Sequence, residues 1–180
     1  MLAYLLICLL VLTKASLSKE ITIIGDSITV GATKYIKRYI PDAVVDAKVG
    51  RKFQEAMDRI LDLESKGLLK DTVIIALGTN GPFTIDEGLR IIDYLQSSGR
   101  QVIFVNVKVP RWWENDVNNT YLELKKLRPS IKVLNWNYIG NMCVSMHMQC
   151  FREDGYHLTR TGSDLFARLI YWYGYKADSQ

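Results

Sequence analysis

The fold of this chain is decided by residues 21–31, which read Ile-Thr-Ile-Ile-Gly-Asp-Ser-Ile-Thr-Val-Gly. The β-branched apolar run at 21–24 predicts a buried strand, and it ends abruptly at Gly-Asp-Ser. Residues from Ile28 to Ile40 have a helical pattern, so Ser27 lies where a strand turns into a helix. The free N–H groups of a helix N-terminus favour negative charge at such a corner. The corner therefore suits a nucleophile.

A short apolar run followed by a helical segment occurs repeatedly along the chain. Strands are predicted at Ile21–Gly25, Val44–Val49, Thr72–Leu77, Gln101–Val107 and Ile131–Asn135. Helices are predicted at Ile28–Ile40, Phe53–Lys66, Ile85–Ser98, Asn115–Leu127 and about Thr161–Tyr173. Continuous Val and Ile runs are typical of parallel strands buried on both faces. The alternation predicts an α/β fold, a three-layer α/β/α sandwich around a parallel five-stranded sheet.

The first residues differ from the rest of the chain. Residues 2–12 are apolar apart from Tyr4, a run too short to cross a bilayer. With the small residues that follow, it predicts a signal peptide or short apolar leader over residues 1–18, ahead of one domain at 19–180. No Lys or Arg precedes the run, so an uncleaved anchor or a wrongly assigned start is the alternative. The leader predicts a secreted or extracytoplasmic protein.

The charge and the cysteine content are also compatible with a secreted or extracytoplasmic protein. The net charge is +4, with Lys and Arg scattered, which favours a solvated surface, allows contact with an anionic cell surface and gives nucleic-acid binding little support. Cys143 and Cys150 lie in a predicted loop segment and could form a disulfide, with two free buried thiols as the alternative. No metal site is expected, because His147 is the only nearby nitrogen ligand. We expect a monomer without a cofactor.

Two residues near the end of the chain could activate a serine. His157 is one of only two histidines, and Asp154 precedes it by three residues. In a helical turn this spacing puts both side chains on one side. Asp154 could then fix the imidazole tautomer while the other ring nitrogen accepts the Ser27 proton. The alternatives are that Ser27 only caps a helix and that Asp154 and His157 form an incidental surface turn.

Several donors could stabilise an oxyanion beside Ser27. Gly50 follows the second predicted strand and allows its N–H, with that of Ser27, to approach a ligand closely. Asn80 follows the third strand and could add a side-chain amide. Taken singly, Gly50 is compatible with a loop glycine and Asn80 with a turn residue. However, all the candidate residues follow predicted strands, and the carboxyl ends of parallel strands share one edge of a sheet.

Together these blocks resemble the SGNH (GDSL-type) hydrolase superfamily. The matching blocks are Gly-Asp-Ser at 25–27, Gly50, Gly-Thr-Asn at 78–80 and Asp-x-x-His at 154–157. Over about residues 21–175, and in the stretches 46–51, 77–81, 109–112 and 154–159, the chain is similar to the extracytoplasmic domain of bacterial peptidoglycan O-acetyltransferases. The resemblance implies an SGNH hydrolase-like, flavodoxin-like fold. It also implies a catalytic triad of Ser27, Asp154 and His157 and an oxyanion hole of Ser27, Gly50 and Asn80.

Three residues after the fourth predicted strand are candidates for substrate binding. Trp112 and Trp113 could stack on a sugar ring or hold an acyl group, and Arg111 could bind a carboxylate. The alternatives are core packing for the tryptophans and a structural ion pair for Arg111.

The predicted function is that of a secreted serine esterase or acyltransferase acting on ester-linked acyl groups, with acetyl on cell-wall polysaccharide as the expected substrate. In the acetyltransferases that the chain resembles, a many-helix membrane module precedes the domain. Here a short apolar leader precedes it, so hydrolysis and transfer both stay open. The alternatives are a small-lipid esterase or thioesterase and, from another class, a non-catalytic carbohydrate-binding protein.

Overall fold

A parallel five-stranded sheet lies at the centre of the computed structural model, which describes residues 20–176. The strands are β1 (Ile21–Gly25), β2 (Val44–Ala47), β3 (Thr72–Ala76), β4 (Gln101–Val105) and β5 (Lys132–Leu134). Their order across the sheet is β2-β1-β3-β4-β5, and each neighbouring pair is parallel. The predicted sheet is confirmed.

Helices connect the strands and cover both faces of the sheet. They are α1 (Ser27–Tyr39), α2 (Ala56–Ser65), α3 (Ile85–Ser97), α4 (Glu114–Leu127), α5 (Trp136–Ser145) and α6 (Arg160–Leu169). A 3-10 turn at Phe53–Glu55 precedes α2, and a π-helical segment at Ile170–Lys176 follows α6. Helices α2, α3 and α4 pack on one face, and α1, α5 and α6 pack on the other. The predicted three-layer sandwich is confirmed.

The inner strands show why continuous apolar runs are needed. Ile23 and Ile74 pack with the layer of α1 and α6, whereas Ile24 and Ile75 pack with the layer of α2 to α4. All four side chains are fully buried. The edge strand β2 is only half-buried along its length, because it has a neighbour on one side only. The expected burial on both faces therefore holds for the inner strands and fails at this edge.

Helix α5 was not predicted. Its buried positions are only Trp136, Gly140 and Cys143, so its apolar pattern is weak. The helix begins instead with a local signal, because the Asn135 side chain accepts a hydrogen bond from the Tyr138 N–H. The interpretation of this segment as a loop is therefore wrong, and Cys143 lies in a helix.

Cys143 and Cys150 form a disulfide, and both are buried. Their Cα atoms are 6.3 Å apart, within the range of about 4.4–6.8 Å that is usual for a disulfide. The bond ties α5 to the segment that leads to His157.

The predicted leader at residues 1–18 lies outside the described residues, as does the end of the chain after Lys176. Between residues 20 and 176, no helix is long and apolar enough to span a membrane.

Candidate active site

Ser27, His157 and Asp154 form one hydrogen-bonded chain at the carboxyl edge of the sheet. Ser27 is the first residue of α1, just past the end of β1. Its Oγ lies 3.0 Å from His157 Nε2, and His157 Nδ1 lies 2.8 Å from Asp154 Oδ2. The expected hydrogen-bond reach between Ser27 and His157 is therefore met, although 130 residues separate them. The catalytic roles of the three residues stay predictions.

Asp26 shapes the corner between β1 and α1. Its Oδ1 accepts a hydrogen bond of 2.9 Å from the Ile28 N–H, which makes Asp26 the N-cap of α1. The alternative that Ser27 caps the helix is therefore wrong, and the Ser27 hydroxyl is available to His157. Gly25 is required here, because a Cβ at this position would lie 2.0 Å from Thr29 Oγ1.

The Asp26 carboxyl is fully buried, and its Oδ2 has no hydrogen-bond partner among residues 20–176. Burial raises the pKa of Asp26 to about 6, against the opposing effects of the Ile28 N–H, the polar groups of Thr79 and the charge of His157. Thr79 lies near the carboxyl but does not reach hydrogen-bond geometry with Oδ2. Desolvation therefore dominates at this position.

The Asp154 carboxylate organises the turn that carries His157. Its Oδ1 accepts hydrogen bonds from the N–H groups of Tyr156 at 3.1 Å and His157 at 2.9 Å. Gly155 has a φ of +78° within this turn, a conformation that favours glycine. The segment is thus an Asp-capped turn and not the helical turn that the spacing predicted. Both side chains nevertheless meet, because the backbone folds around the carboxylate.

The same hydrogen bonds keep Asp154 ionised. Partial desolvation raises the pKa of Asp154, but the hydrogen bonds from Tyr156 and His157 outweigh it and lower the pKa to about 2. A carboxylate can only accept hydrogen bonds, so the His157 proton belongs on Nδ1. The lone pair of Nε2 then faces the Ser27 hydroxyl, which is the tautomer that a general base needs.

A short hairpin holds this turn against the domain. Phe151 and Leu158 form an antiparallel bridge, and the Arg152 N–H donates to the His157 carbonyl at 2.7 Å. Cys150, one end of the disulfide, directly precedes the hairpin. His157 is therefore positioned by elements outside the sheet.

Gly50 and Asn80 lie in the turns after β2 and β3. Gly50 has a φ of +75°. Within the described part of the chain, neither its N–H nor that of Ser27 donates a hydrogen bond. Asn80 Nδ2 donates to the Arg51 carbonyl at 3.0 Å, which uses one of its two amide hydrogens. Donors are thus available on three strand ends, while their roles in an oxyanion hole stay predictions.

The predicted substrate-binding residues differ in exposure. Trp112 is 75% exposed, whereas Trp113 is half-buried and packs against the core, as the alternative held. The two rings meet edge to face with centroids 5.5 Å apart. The Arg111 guanidinium lies 5.9 Å from the centroid of the Tyr156 ring, in a cation–π contact.

The loop that carries Trp112 is held by side chains of α4. Asn118 bonds both the N–H and the carbonyl of Val107 at 2.9 Å. Glu114 Oε2 accepts the Val109 N–H at 2.5 Å. The exposed tryptophan therefore projects from a loop with a fixed backbone.

Tyr156 is a site residue to which the sequence pattern assigned no role. Its ring centroid lies 4.3 Å from that of His157, with the planes tilted by 35°. Tyr156 therefore packs beside the imidazole and links it to Arg111. The available signal was its position inside the Asp-x-x-His block.

A cleft borders the site at Asn80. It has a volume of about 360 Å³ and is lined by Lys52, Gln54, Asn80, Gly81 and Pro82. No group of three or more His, Cys, Asp or Glu side chains in residues 20–176 is arranged to hold a metal ion. The functional groups of the site are a serine, a histidine, a carboxylate and hydrogen-bond donors.

No family model matches the chain. It is 30% identical over 158 residues to peptidoglycan O-acetyltransferase OatA of Listeria monocytogenes, over 88% of this chain and 24% of the relative. It is 31% identical over 157 residues to the putative peptidoglycan O-acetyltransferase YrhL of Bacillus subtilis, over 87% of this chain and 24% of the relative. The chain thus spans about a quarter of the length of these curated relatives.

Among solved structures, the C-terminal catalytic domain of Streptococcus pneumoniae peptidoglycan O-acetyltransferase A shares the fold. The TM-score is 0.69 at 22% identity, over 85% of this chain and 90% of that one. The sheet and these comparisons show that the chain has the fold of the SGNH (GDSL-type) hydrolase superfamily. Within that superfamily it is similar to peptidoglycan O-acetyltransferases, as the sequence blocks predicted.

Proposed function

We propose that the chain is a serine esterase or O-acyltransferase that acts on acetyl groups ester-linked to cell-wall polysaccharide. The proposal is carried by the contacts from Ser27 Oγ to His157 at 3.0 Å and from His157 to Asp154 at 2.8 Å. A serine becomes nucleophilic when an oriented base can take its proton. The same contacts argue against a non-catalytic carbohydrate-binding protein, which has no need of a serine–histidine hydrogen bond.

In the proposed reaction, Ser27 Oγ attacks the carbonyl carbon of an acetyl ester. Its proton passes to His157 Nε2, and the ionised Asp154 stabilises the imidazolium. When the tetrahedral intermediate collapses, the bond from the carbonyl carbon to the sugar oxygen breaks, and His157 returns the proton to that oxygen. The acetyl group remains as an ester on Ser27.

The oxyanion of the intermediate is assigned to the N–H groups of Ser27 and Gly50 and to the amide of Asn80. Donors that are already in place cost little reorganisation when charge develops. In the second half of the reaction, His157 removes a proton from water or from a sugar hydroxyl, which then attacks the acetyl group on Ser27. Water gives free acetate, whereas a sugar hydroxyl gives transfer.

The surroundings of the site offer hydrogen-bonding side chains and an aromatic face to a sugar. Lys52, Gln54 and Asn80 line the adjacent cleft, and the exposed Trp112 offers a face for a sugar ring. The matched relatives are named as peptidoglycan O-acetyltransferases, which supports acetylated peptidoglycan as the substrate. The side chains of Lys52, Gln54 and Asn80 at the cleft can hydrogen-bond a sugar, which favours it over the small lipid of the alternative esterase or thioesterase.

We also propose that the protein acts outside the cytoplasm. The apolar run at residues 2–12 fits a signal peptide, and the disulfide is typical of an oxidising compartment. Amino-terminal sequencing of secreted protein is expected to begin near Ser16 or Lys19. Recovery of intact Met1 from the cytosol alone would contradict this location.

The function is tested by mass spectrometry of products from acetylated peptidoglycan and from a chromogenic acetyl ester, each with and without a sugar acceptor. An esterase releases acetate in all reactions, and a transferase forms acetylated acceptor. A rapidly quenched reaction is expected to carry one acetyl group on Ser27. The absence of turnover on every acetyl ester would overturn the proposal.

A further inference from the structure

Arg51 directly follows Gly50, and its side chain runs back beneath the candidate site. The residue is buried, with 4% of its surface exposed. Its Nη1 donates to the Gly25 carbonyl at 3.2 Å and to the Asp46 carbonyl at 2.7 Å, and its Nη2 donates to Asp46 Oδ1 at 2.5 Å. Gly25 ends β1 just before the nucleophile corner. The guanidinium therefore joins the end of β1 to the end of β2.

The backbone of Arg51 joins a third strand end to this arrangement. Its carbonyl accepts the 3.0 Å hydrogen bond from Asn80 Nδ2, in the turn after β3. Its N–H donates to the Lys48 carbonyl at 3.3 Å, which closes the turn that contains Gly50. One residue thus contacts the ends of β1, β2 and β3.

We propose that Arg51 is a positioning residue that holds the Gly50 N–H and the Asn80 amide in register with Ser27. This inference rests on the proposed function, in which those groups bind the oxyanion. Donors to an oxyanion act only when they are held within about 0.5 Å of the productive geometry. Gly50 is exposed and unrestrained by a side chain of its own, so its position depends on the residues on either side.

A second arginine separates this role from ordinary ion pairing. Arg59, in α2, binds the same carboxylate through Asp46 Oδ2, with Nη2 at 2.5 Å and Nε at 3.1 Å. It also pairs with Asp62 at 3.0 Å. None of these contacts reaches β1, Gly50 or Asn80. An Arg59→Gln variant therefore weakens the charge network without releasing the strand ends, and it serves as the matched control.

The test is a kinetic double-mutant cycle between Arg51 and Asn80 on a chromogenic acetyl ester. Arg51→Lys keeps the charge near Asp46 but cannot make the forked contacts of a guanidinium. We expect it to lower kcat by roughly 10- to 100-fold, with KM changed by no more than about threefold. Asn80→Ala should then cost less than about tenfold in the Arg51→Lys background, because its amide is already displaced. In the Arg59→Gln background, Asn80→Ala should keep its full cost.

Each possible outcome either supports or overturns the positioning role of Arg51. Additive effects of Arg51→Lys and Asn80→Ala would overturn the inference while leaving the proposed function intact. A kcat for Asn80→Ala equal to that of the starting protein would remove the oxyanion role of Asn80 and the inference with it. An Arg59→Gln variant as non-additive as Arg51→Lys would also overturn it, since general ion pairing would then suffice. Circular dichroism confirms folding of each variant, and Arg51→Gln replaces Arg51→Lys in the same cycle if the latter fails to fold.

Discussion

The corner that carries Ser27 and the turn that carries His157 are held in different ways. The corner lies between the buried strand β1 and α1, and its N-cap, Asp26, is completely enclosed. The turn lies on the surface, with Asp154 exposed and His157 half-buried. Its own hydrogen bonds, a short hairpin and a disulfide define it. The nucleophile is thus positioned by the core, and the base is positioned by local links at the edge of the domain.

Because of this difference, substitutions at the two places should have different effects. A change at the corner disturbs the layer between the sheet and α1, whereas a change in the turn can displace His157 while the sheet stays folded. The hairpin and the disulfide link the turn to the rest of the domain. Five variants test this division.

Replacing Ser27 with Ala removes the nucleophile, so acyl-enzyme formation is expected to stop. Only the residual catalysis of the oxyanion donors and of substrate binding should remain, on the order of 10³–10⁴ over water. Steady-state kinetics and mass spectrometry of the quenched protein measure this. Full activity of purified Ser27→Ala protein would contradict the whole assignment.

Replacing Asp154 with Asn is expected to lower kcat by a factor on the order of 10⁴, because the imidazole loses its tautomer control. The fold should survive, since an Asn oxygen can still accept the N–H groups of Tyr156 and His157. Kinetics and thermal unfolding of the same preparation separate the two effects. A variant that loses activity only in proportion to its unfolded fraction would show that Asp154 acts on structure alone.

Replacing Asn80 with Ala should cost a factor on the order of 10²–10³ in kcat, the usual effect of losing one oxyanion donor. KM should change little, because the interaction strengthens only in the transition state. Initial rates over a range of chromogenic ester concentrations give both constants. An effect confined to KM would place Asn80 in substrate binding instead.

Replacing both Cys143 and Cys150 with Ser should lower the free energy of unfolding by about 2 kcal/mol, because the closed loop is short. The activity should fall severalfold through displacement of the His157 turn, while the far-ultraviolet circular dichroism of the sheet and helices stays unchanged. Reducing agent should have the same effect on the starting protein and none on the double variant. Equal activity with and without the disulfide would show that the hairpin alone suffices.

Replacing Asp26 with Asn should change stability in a pH-dependent way. Because the pKa of Asp26 is raised from 3.8 to about 6 on folding, the folded protein binds more protons between these values. The contribution of Asp26 to stability is therefore lost as pH rises through about 6, by roughly 3 kcal/mol at most. Asn caps helices as well as Asp and carries no charge. In urea unfolding from about pH 4 to 8, the free energy of unfolding of the variant should rise relative to that of the starting protein. Parallel curves of this free energy against pH would contradict the prediction.

The sheet and the strand-end residues could be predicted because their signals are local. Each strand is a short apolar run, and parallel strands bring their carboxyl ends to one edge whatever the packing of the helices. Helix α5 was not predicted, because half of its residues are exposed and only three are buried, so its apolar pattern is weak. The contacts of Arg51 with the ends of β1 and β3 could not be predicted, since they join chain segments that are distant in sequence.

The five strands, the parallel sheet and the positions of Ser27, Asp154 and His157 could be predicted from the sequence, because apolar periodicity and residue type are properties of short segments. The folded chain was needed to show that Asp26 caps α1 in place of Ser27 and that an Asp-capped turn presents His157. The folded chain also shows that one buried arginine contacts the ends of three strands. The arginine contacts depend on how separate segments approach one another. The two caps are local, but which side chain accepts each N–H group depends on the backbone geometry of the folded chain.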